Sequence, residues 1–143
     1  MTYSTSASIV IQAPREAIWR AVTEPALVKR WFFGTDLVTD WKVGSPLFFR
    51  GEWEGKTYED RGTVLSFDPP NGFSFNYWSS MSGDPDEPER RQIVRYELTG
   101  EGSGVRVTIH QSNTDTQERA EHSKKNWENV LAGLKKFVEE AKA

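Results

Sequence analysis

The chain has 143 residues, the size of one ordinary domain; 36% of them are hydrophobic and 13% aromatic, and the formal net charge is −3 at pH 7. It contains no cysteine, which excludes disulfides, thiolate metal sites and cysteine nucleophiles. Its two histidines are too few for a histidine-based metal centre. The negative net charge argues against a protein built mainly to bind nucleic acid. No apolar run approaches the roughly 18 residues of a membrane span and no signal peptide is visible, so we expect a cytoplasmic protein.

The first part of the chain predicts one strand followed by two short helices. Residues 4–12 alternate weakly between polar and apolar side chains and end in an apolar run, which is typical of a strand. Pro14 suits the first position of a helix, because its missing N–H costs nothing there. Pro25 repeats that pattern, so we predict two helices in series that end near Trp31.

From residue 34 to residue 111 the pattern changes to short strands separated by turn residues. The predicted strands cover residues 35–38, 47–53, 57–67, 73–78, 92–98 and 105–111. Gly62 interrupts the longest of them and predicts a bulge or a bend. The polar residues 79–89 predict an exposed loop. Because the other connections are short, we expect antiparallel pairing and a sheet of six or seven strands in all.

The last segment predicts a helix of about 25 residues. Overlapping capping-box patterns begin at Thr114 and Asp115. Apolar residues then recur at spacings of three and four, namely at Trp127, Val130, Leu131, Leu134, Phe137, Val138 and Ala141. This helix is the only element large enough to cover the apolar face of a one-layer sheet. We therefore predict an α+β fold in which a curved antiparallel sheet wraps around the helix, with residues 1–143 as a single domain.

Alternation along the strands places many aromatic rings on the face that the sheet turns toward the last helix. The candidate cavity residues are Trp31, Phe49, Trp53, Tyr58, Phe75, Tyr77, Tyr96, Ile109, Gln111, Trp127, Leu131 and Leu134. Among them, Tyr58, Tyr77, Tyr96 and Gln111 could supply polar groups that orient a ligand. The alternative is that the rings simply form a solid core, which is the commoner role of buried aromatics.

No motif in the sequence predicts a catalytic group, a cofactor or a metal site. His110 falls on the predicted outer face of the sheet, whereas His122 lies in the first turns of the last helix and could lie near the mouth of a cavity. Glu59 and Asp60 follow Tyr58, but their spacing does not indicate a carboxylate pair for acid–base chemistry. The glycine-rich stretch 100–104 lacks the lysine and the following helix of a phosphate-binding loop.

Several stretches of the chain, taken in order, resemble a known family. They are IQAPREAIW at residues 11–19, KRWF at 29–32, DWKVGSPLFF at 40–49, GTVLSFDPP at 62–70 and NW at 126–127 followed by Leu131. The resemblance is to stand-alone bacterial proteins related to the C-terminal domain of the activator of Hsp90 ATPase, within the START/Bet v 1-like superfamily. It implies a helix-grip fold that encloses a hydrophobic cavity, and it implies no shared catalytic residues.

This resemblance leaves three functions to consider. The first is non-catalytic binding of a small hydrophobic or amphipathic molecule, by a monomer or a homodimer. The second is an Hsp90-linked co-chaperone or stress-response interaction protein, and the third is a cyclase- or aromatase-type enzyme, which would need a titratable group inside the cavity. Relatives often differ at Ser45, Ser66 and Asn126, so the resemblance does not imply which ligand is bound.

Overall fold

The computed structural model describes residues 3–32, 34–53, 55–78, 87, 91–114 and 116–142. In chain order, its elements are strand β1 (Tyr3–Ile11), helices α1 (Arg15–Thr23) and α2 (Pro25–Trp31), strands β2 (Asp36–Val38), β3 (Pro46–Trp53), β4 (Lys56–Asp68), β5 (Gly72–Trp78), β6 (Gln92–Glu101) and β7 (Gly104–Thr114), and helix α3 (Gln117–Lys142). The predicted α+β helix-grip fold is confirmed, with two short helices after the first strand and one long helix at the end.

The seven described strands form one antiparallel sheet in the order β1-β7-β6-β5-β4-β3-β2. Six of them follow one another as a meander, and β1 joins the far side of β7, where Ile9 lies opposite Val107. Helix α3 packs on the concave face of this curved sheet, chiefly against β1 and β7. The sheet and the helix therefore form two layers, which meet closely at the β1 end and leave room toward β3 and β4.

A solid core fills the space where α3 meets β1 and β7. Ile11, Ile109, Leu131 and Leu134 are all shielded from solvent there. The apolar stripe predicted for the last helix supplies the helical half of this core, because residues three and four apart lie on one face. None of the helices in the described part of the chain contains a stretch long and apolar enough to cross a membrane.

Two polar contacts fasten α3 to the free edge of β1. The Lys135 ammonium donates a hydrogen bond to the backbone carbonyl of Val10 at 2.9 Å. The Glu139 carboxylate accepts one from the backbone N–H of Gln12 at 2.8 Å and pairs with Lys135 at 2.6 Å. The helix thus satisfies backbone groups that β1 cannot pair with another strand.

Gly62 was predicted to mark a bulge or a bend, and as a bulge position this prediction is wrong. The irregularity in the β4–β5 ladder falls between Val64 and Ser66, so Leu65 is the extra residue. Gly62 serves a different purpose, since a Cβ atom added there would lie 1.7 Å from the backbone oxygen of Asn76. Only glycine permits this close approach of the two strands.

The start of α3 also differs from its prediction. Strand β7 continues to Thr114, whose buried hydroxyl accepts no hydrogen bond from the helix and therefore does not cap it. The Thr116 hydroxyl instead accepts a hydrogen bond from the backbone N–H of Arg119 at 3.1 Å. Three predictions concern parts of the chain that the structure does not describe. They are Asp115 of the second predicted capping box, the predicted loop 79–89 apart from Glu87, and the side chain of Trp53.

Candidate functional site

A cavity of about 560 Å³ lies between the concave face of the sheet and α3. Strands β3 to β7 provide one wall and the inward face of α3 the other. His122 and Asn126 line the cavity and are exposed, so they mark its mouth. The volume lies within the roughly 300–1,000 Å³ that is usual for pockets that bind small molecules.

Seven of the predicted residues line this cavity. They are Phe49, Tyr58, Phe75, Tyr77, Tyr96, Gln111 and Trp127. The six on the sheet come from five successive strands, and alternation puts them all on the concave face. The other described lining residues are Phe32, Thr35, Asp60, Val94, His122, Ser123, Asn126 and Val130. None of these belongs to the predicted set of cavity residues, although the sequence indicated that His122 could lie near the mouth.

Four predicted residues do not line the cavity. Ile109, Leu131 and Leu134 face the right way but belong to the solid core, where sheet and helix are in contact. Trp31 packs against Phe32, and its indole N–H donates a hydrogen bond to the backbone carbonyl of Ala21 at 2.7 Å. Its ring therefore joins α1 to α2. The molecule contains both a solid core and a cavity, at different distances from the β1 edge.

Tyr58 is held in the cavity wall by two features of its neighbours. It lies opposite Gly51 in the β3–β4 ladder, and a Cβ atom added to Gly51 would lie 2.5 Å from the Tyr58 hydroxyl oxygen. The glycine leaves space for the ring to lie across the strand. The hydroxyl then reaches Thr35, with 2.7 Å between the two oxygens. Thr35 is 1% exposed, so this hydrogen bond satisfies a buried group.

We expect Tyr58→Phe to lower the free energy of unfolding by about 1–2 kcal/mol, because the Thr35 hydroxyl would lose its partner in a buried place. Urea denaturation measures the change. Adding Thr35→Val to this variant removes the unpaired hydroxyl and should recover part of the loss. Strictly additive losses in the two single variants and the double variant would show that this hydrogen bond contributes nothing.

Gln111 is committed to the protein rather than available to orient a ligand. It is 2% exposed, and its side-chain oxygen accepts a hydrogen bond from the Trp127 indole N–H at 2.6 Å. Its side-chain nitrogen donates to the Ser123 hydroxyl at 3.2 Å and to the Gln92 side-chain oxygen. The amide therefore joins β7, β6 and α3 within the wall of the cavity.

Tyr77 and Tyr96 contribute phenol side chains to the lining of the cavity. Within the described residues, neither hydroxyl forms a hydrogen bond to another side chain or to the backbone. The Thr114 hydroxyl is the only side-chain polar atom there that is both fully enclosed and unpaired, so the two tyrosine hydroxyls are not fully enclosed. Burial raises the pKa of Tyr77 to about 12, and the charge of Asp60 adds to this effect. Burial, with a smaller contribution from Tyr77, also raises the pKa of Tyr96. Both phenols are therefore protonated at neutral pH and can donate to a guest molecule.

Titratable groups are sparse around the cavity. The wall includes the half-buried Asp60, and His122 lies at the exposed mouth. His110 lies on the outer face of the sheet, as expected, with its Nε2 3.2 Å from the Glu97 carboxylate. No group of three or more His, Asp or Glu side chains in the described part of the chain is arranged to hold a metal ion.

Comparison with protein families gives a match over most of the chain. Residues 12–139 match the family described as activator of Hsp90 ATPase homolog 1-like protein. No match was found among the curated proteins that were compared.

Solved structures share the fold over nearly the whole chain. The solution structure of ChR145 from Cytophaga hutchinsonii is 40% identical, with a TM-score of 0.83 over 97% of this chain and 95% of that one. The Aha1 dimer from Colwellia psychrerythraea is 20% identical, with a TM-score of 0.73 over 95% and 96%. DynU16, from the dynemicin biosynthetic locus, is also 20% identical, with a TM-score of 0.80 over 95% of this chain and 47% of that one.

Proposed function

The chain belongs to the activator of Hsp90 ATPase homolog 1-like family, and we propose that it binds a small hydrophobic or amphipathic molecule in the cavity between the sheet and α3. The observation that carries this proposal is an aromatic wall in which two tyrosine hydroxyls have no protein partner among the described residues.

The space itself supports the proposal. Protein interiors are close-packed, and a void lined by side chains costs stability because the lining atoms lose their contacts. Here the rings support one another: Phe73 stacks on Tyr96 with 4.7 Å between centroids, and Tyr96 meets Trp127 edge to face. Rigid rings fixed in this way keep the walls apart. A guest with apolar surface would restore the missing contacts and could accept hydrogen bonds from the phenols.

A cyclase-type enzyme is the second candidate, and one observation favours it. Such chemistry needs a titratable group inside the cavity, and Asp60 is one. An Hsp90-linked role rests on the family description and on the likeness to the Aha1 dimer. Stimulation of a bacterial Hsp90 ATPase by the purified protein would favour that role over simple ligand binding.

We expect Asn126→Trp to weaken binding of the neutral fluorescent probe N-phenyl-1-naphthylamine at least about tenfold, because a ring at the mouth would block entry. Asn126 is exposed, so the fold should tolerate the change. Glu128→Trp places the same ring on an exposed part of α3 away from the cavity and serves as the control. Fluorescence titration gives the dissociation constants. Failure of the unsubstituted protein to bind this probe and a panel of lipids, steroids and polyketides would contradict the proposal.

A further inference from the structure

A second cavity, of about 540 Å³, adjoins the aromatic cavity near its mouth. Tyr77, His122 and Ser123 line both cavities, so these three side chains form the boundary between them. We call the aromatic cavity the inner chamber and the second cavity the outer chamber. A guest molecule long enough to pass the boundary would occupy both chambers at once.

The outer chamber is polar, in contrast to the aromatic inner chamber. Besides the three shared residues, its described lining consists of Gln92, Thr116, Glu118 and Arg119. Each of these side chains can form hydrogen bonds. Because the inner chamber suits apolar surface, the two chambers together suit a molecule with an apolar body and a polar head.

Hydrogen bonds within the protein orient several polar groups of the outer chamber. The Gln111 side-chain nitrogen donates to the Gln92 side-chain oxygen and, at 3.2 Å, to the Ser123 hydroxyl. The Thr116 hydroxyl accepts a hydrogen bond from the backbone N–H of Arg119 at 3.1 Å. In these contacts Gln92, Ser123 and Thr116 act as acceptors, and an amide nitrogen or a hydroxyl can still donate its own hydrogens. The outer chamber therefore offers oriented donors to the oxygen atoms of a guest.

We infer that the two chambers hold one elongated amphipathic molecule, with its apolar body in the inner chamber and an uncharged, oxygen-rich head, such as the sugar of a glycoside, in the outer chamber. This inference rests on the proposed function, since it concerns the guest of the same cavity. The head accepts hydrogen bonds from the amide and hydroxyl donors, and its own hydroxyls can donate to the Glu118 carboxylate. Glu118 and Arg119 carry opposite charges, so a charged head of either sign would meet a group of like charge.

Four probes with one aromatic body and different heads test this inference. They are 2-naphthyl β-D-glucopyranoside, the headless 2-methoxynaphthalene, the anion 2-naphthyloxyacetate and the cation 2-naphthyloxyethyl-trimethylammonium. We expect the glucoside to bind the unsubstituted protein about tenfold more tightly than 2-methoxynaphthalene, because several oriented donors meet its oxygens. Both charged probes should bind more weakly than the glucoside. Isothermal titration calorimetry gives the four dissociation constants.

Two variants show whether the advantage of the glucoside comes from the outer chamber. Glu118→Trp fills part of this chamber and should reduce the advantage to less than about twofold. It should leave binding of 2-methoxynaphthalene within about twofold, which also shows that the variant is folded. Glu128→Trp is the matched control, since it removes the same charge and adds the same ring at an exposed position of α3 outside the described lining of both chambers. It should keep the advantage.

The outcomes distinguish this inference from the proposal on which it rests. Equal binding of the glucoside and 2-methoxynaphthalene to the unsubstituted protein would overturn the inference and leave hydrophobic binding in place. Tighter binding of either charged probe than of the glucoside would also overturn it, because charge would then select the head. The same is true if Glu118→Trp keeps the advantage of the glucoside, or if Glu128→Trp loses it equally. Binding of none of the four probes, nor of N-phenyl-1-naphthylamine, would overturn both the inference and the proposed function.

Discussion

Gly62→Ala is expected to lower the free energy of unfolding by at least about 3 kcal/mol, or to prevent folding altogether. The new methyl group would lie 1.7 Å from the backbone oxygen of Asn76 and 3.0 Å from the Cα atom of Tyr77. Both obstacles are backbone atoms of the paired strand β5, so no side chain can rotate away to make room. Relief requires the two strands to separate, which would also shift Tyr77 in the cavity wall.

Gly100→Ala is the matched control for this steric argument. Gly100 also lies in a strand and pairs with Val105, but an added Cβ atom would meet only the end of the Arg15 side chain, at 3.4 Å. That side chain is flexible, so we expect a change within about 0.5 kcal/mol. Urea denaturation of both variants measures the difference. A loss for Gly62→Ala no larger than that for Gly100→Ala would show that the strands separate easily at this point.

Trp127→Phe is expected to cost about 2–3 kcal/mol. Trp127 is 9% exposed, and its indole N–H donates the 2.6 Å hydrogen bond to Gln111. Phenylalanine removes that donor and leaves the Gln111 oxygen buried without it, while the smaller ring also loses contact with Tyr96. Because Trp127 joins α3 to the sheet through Gln111, the loss should appear as global unfolding at lower urea concentration.

Two comparisons separate the hydrogen bond from the change of ring size. Trp19→Phe shortens another indole that packs between Phe67 and Phe73 and should cost less, since no hydrogen bond of this indole to another described residue is lost. Adding Gln111→Met to Trp127→Phe should cost at least about 1 kcal/mol less than the sum of the two single changes, because both partners are then apolar. Simple additivity would contradict a coupling between Gln111 and Trp127.

Alternation along β3, β5 and β6 predicts which of their side chains face the helix. Phe49, Phe75 and Tyr96 lie on the concave face for the reason that the sequence indicates, since successive residues of a strand point to opposite sides. The same pattern carries no information on how far apart the two layers stand. Ile109 and Gln111 share one face of β7, yet only Gln111 lines the cavity, whereas Ile109 belongs to the solid core.

Other parts of the site left no periodic signal. Phe32 and Thr35 lie between α2 and β2, outside any regular element, so neither a helical nor a strand period assigns them a face. Asp60 was missed for a different reason. The bulge expected at Gly62 made the register of β4 uncertain, whereas the real bulge at Leu65 leaves residues 58, 60, 62 and 64 in unbroken alternation. A glycine within a strand pattern can indicate a bulge, but a leucine carries no such signal, so the bulge at Leu65 could not be predicted from the sequence.

The polar contacts of Lys135 and Glu139 with β1 decide where this sheet can grow. An unpaired strand edge is a template on which another chain can add a strand. On the β1 side, the backbone carbonyl of Val10 and the N–H of Gln12 are already bonded to the helix, so an incoming strand would first have to displace α3 there. The opposite edge, β2, offers only Asp36–Val38. Edge-to-edge aggregation is thus opposed at one end of β1 by side chains of the longest helix, and at the opposite edge by the shortness of β2.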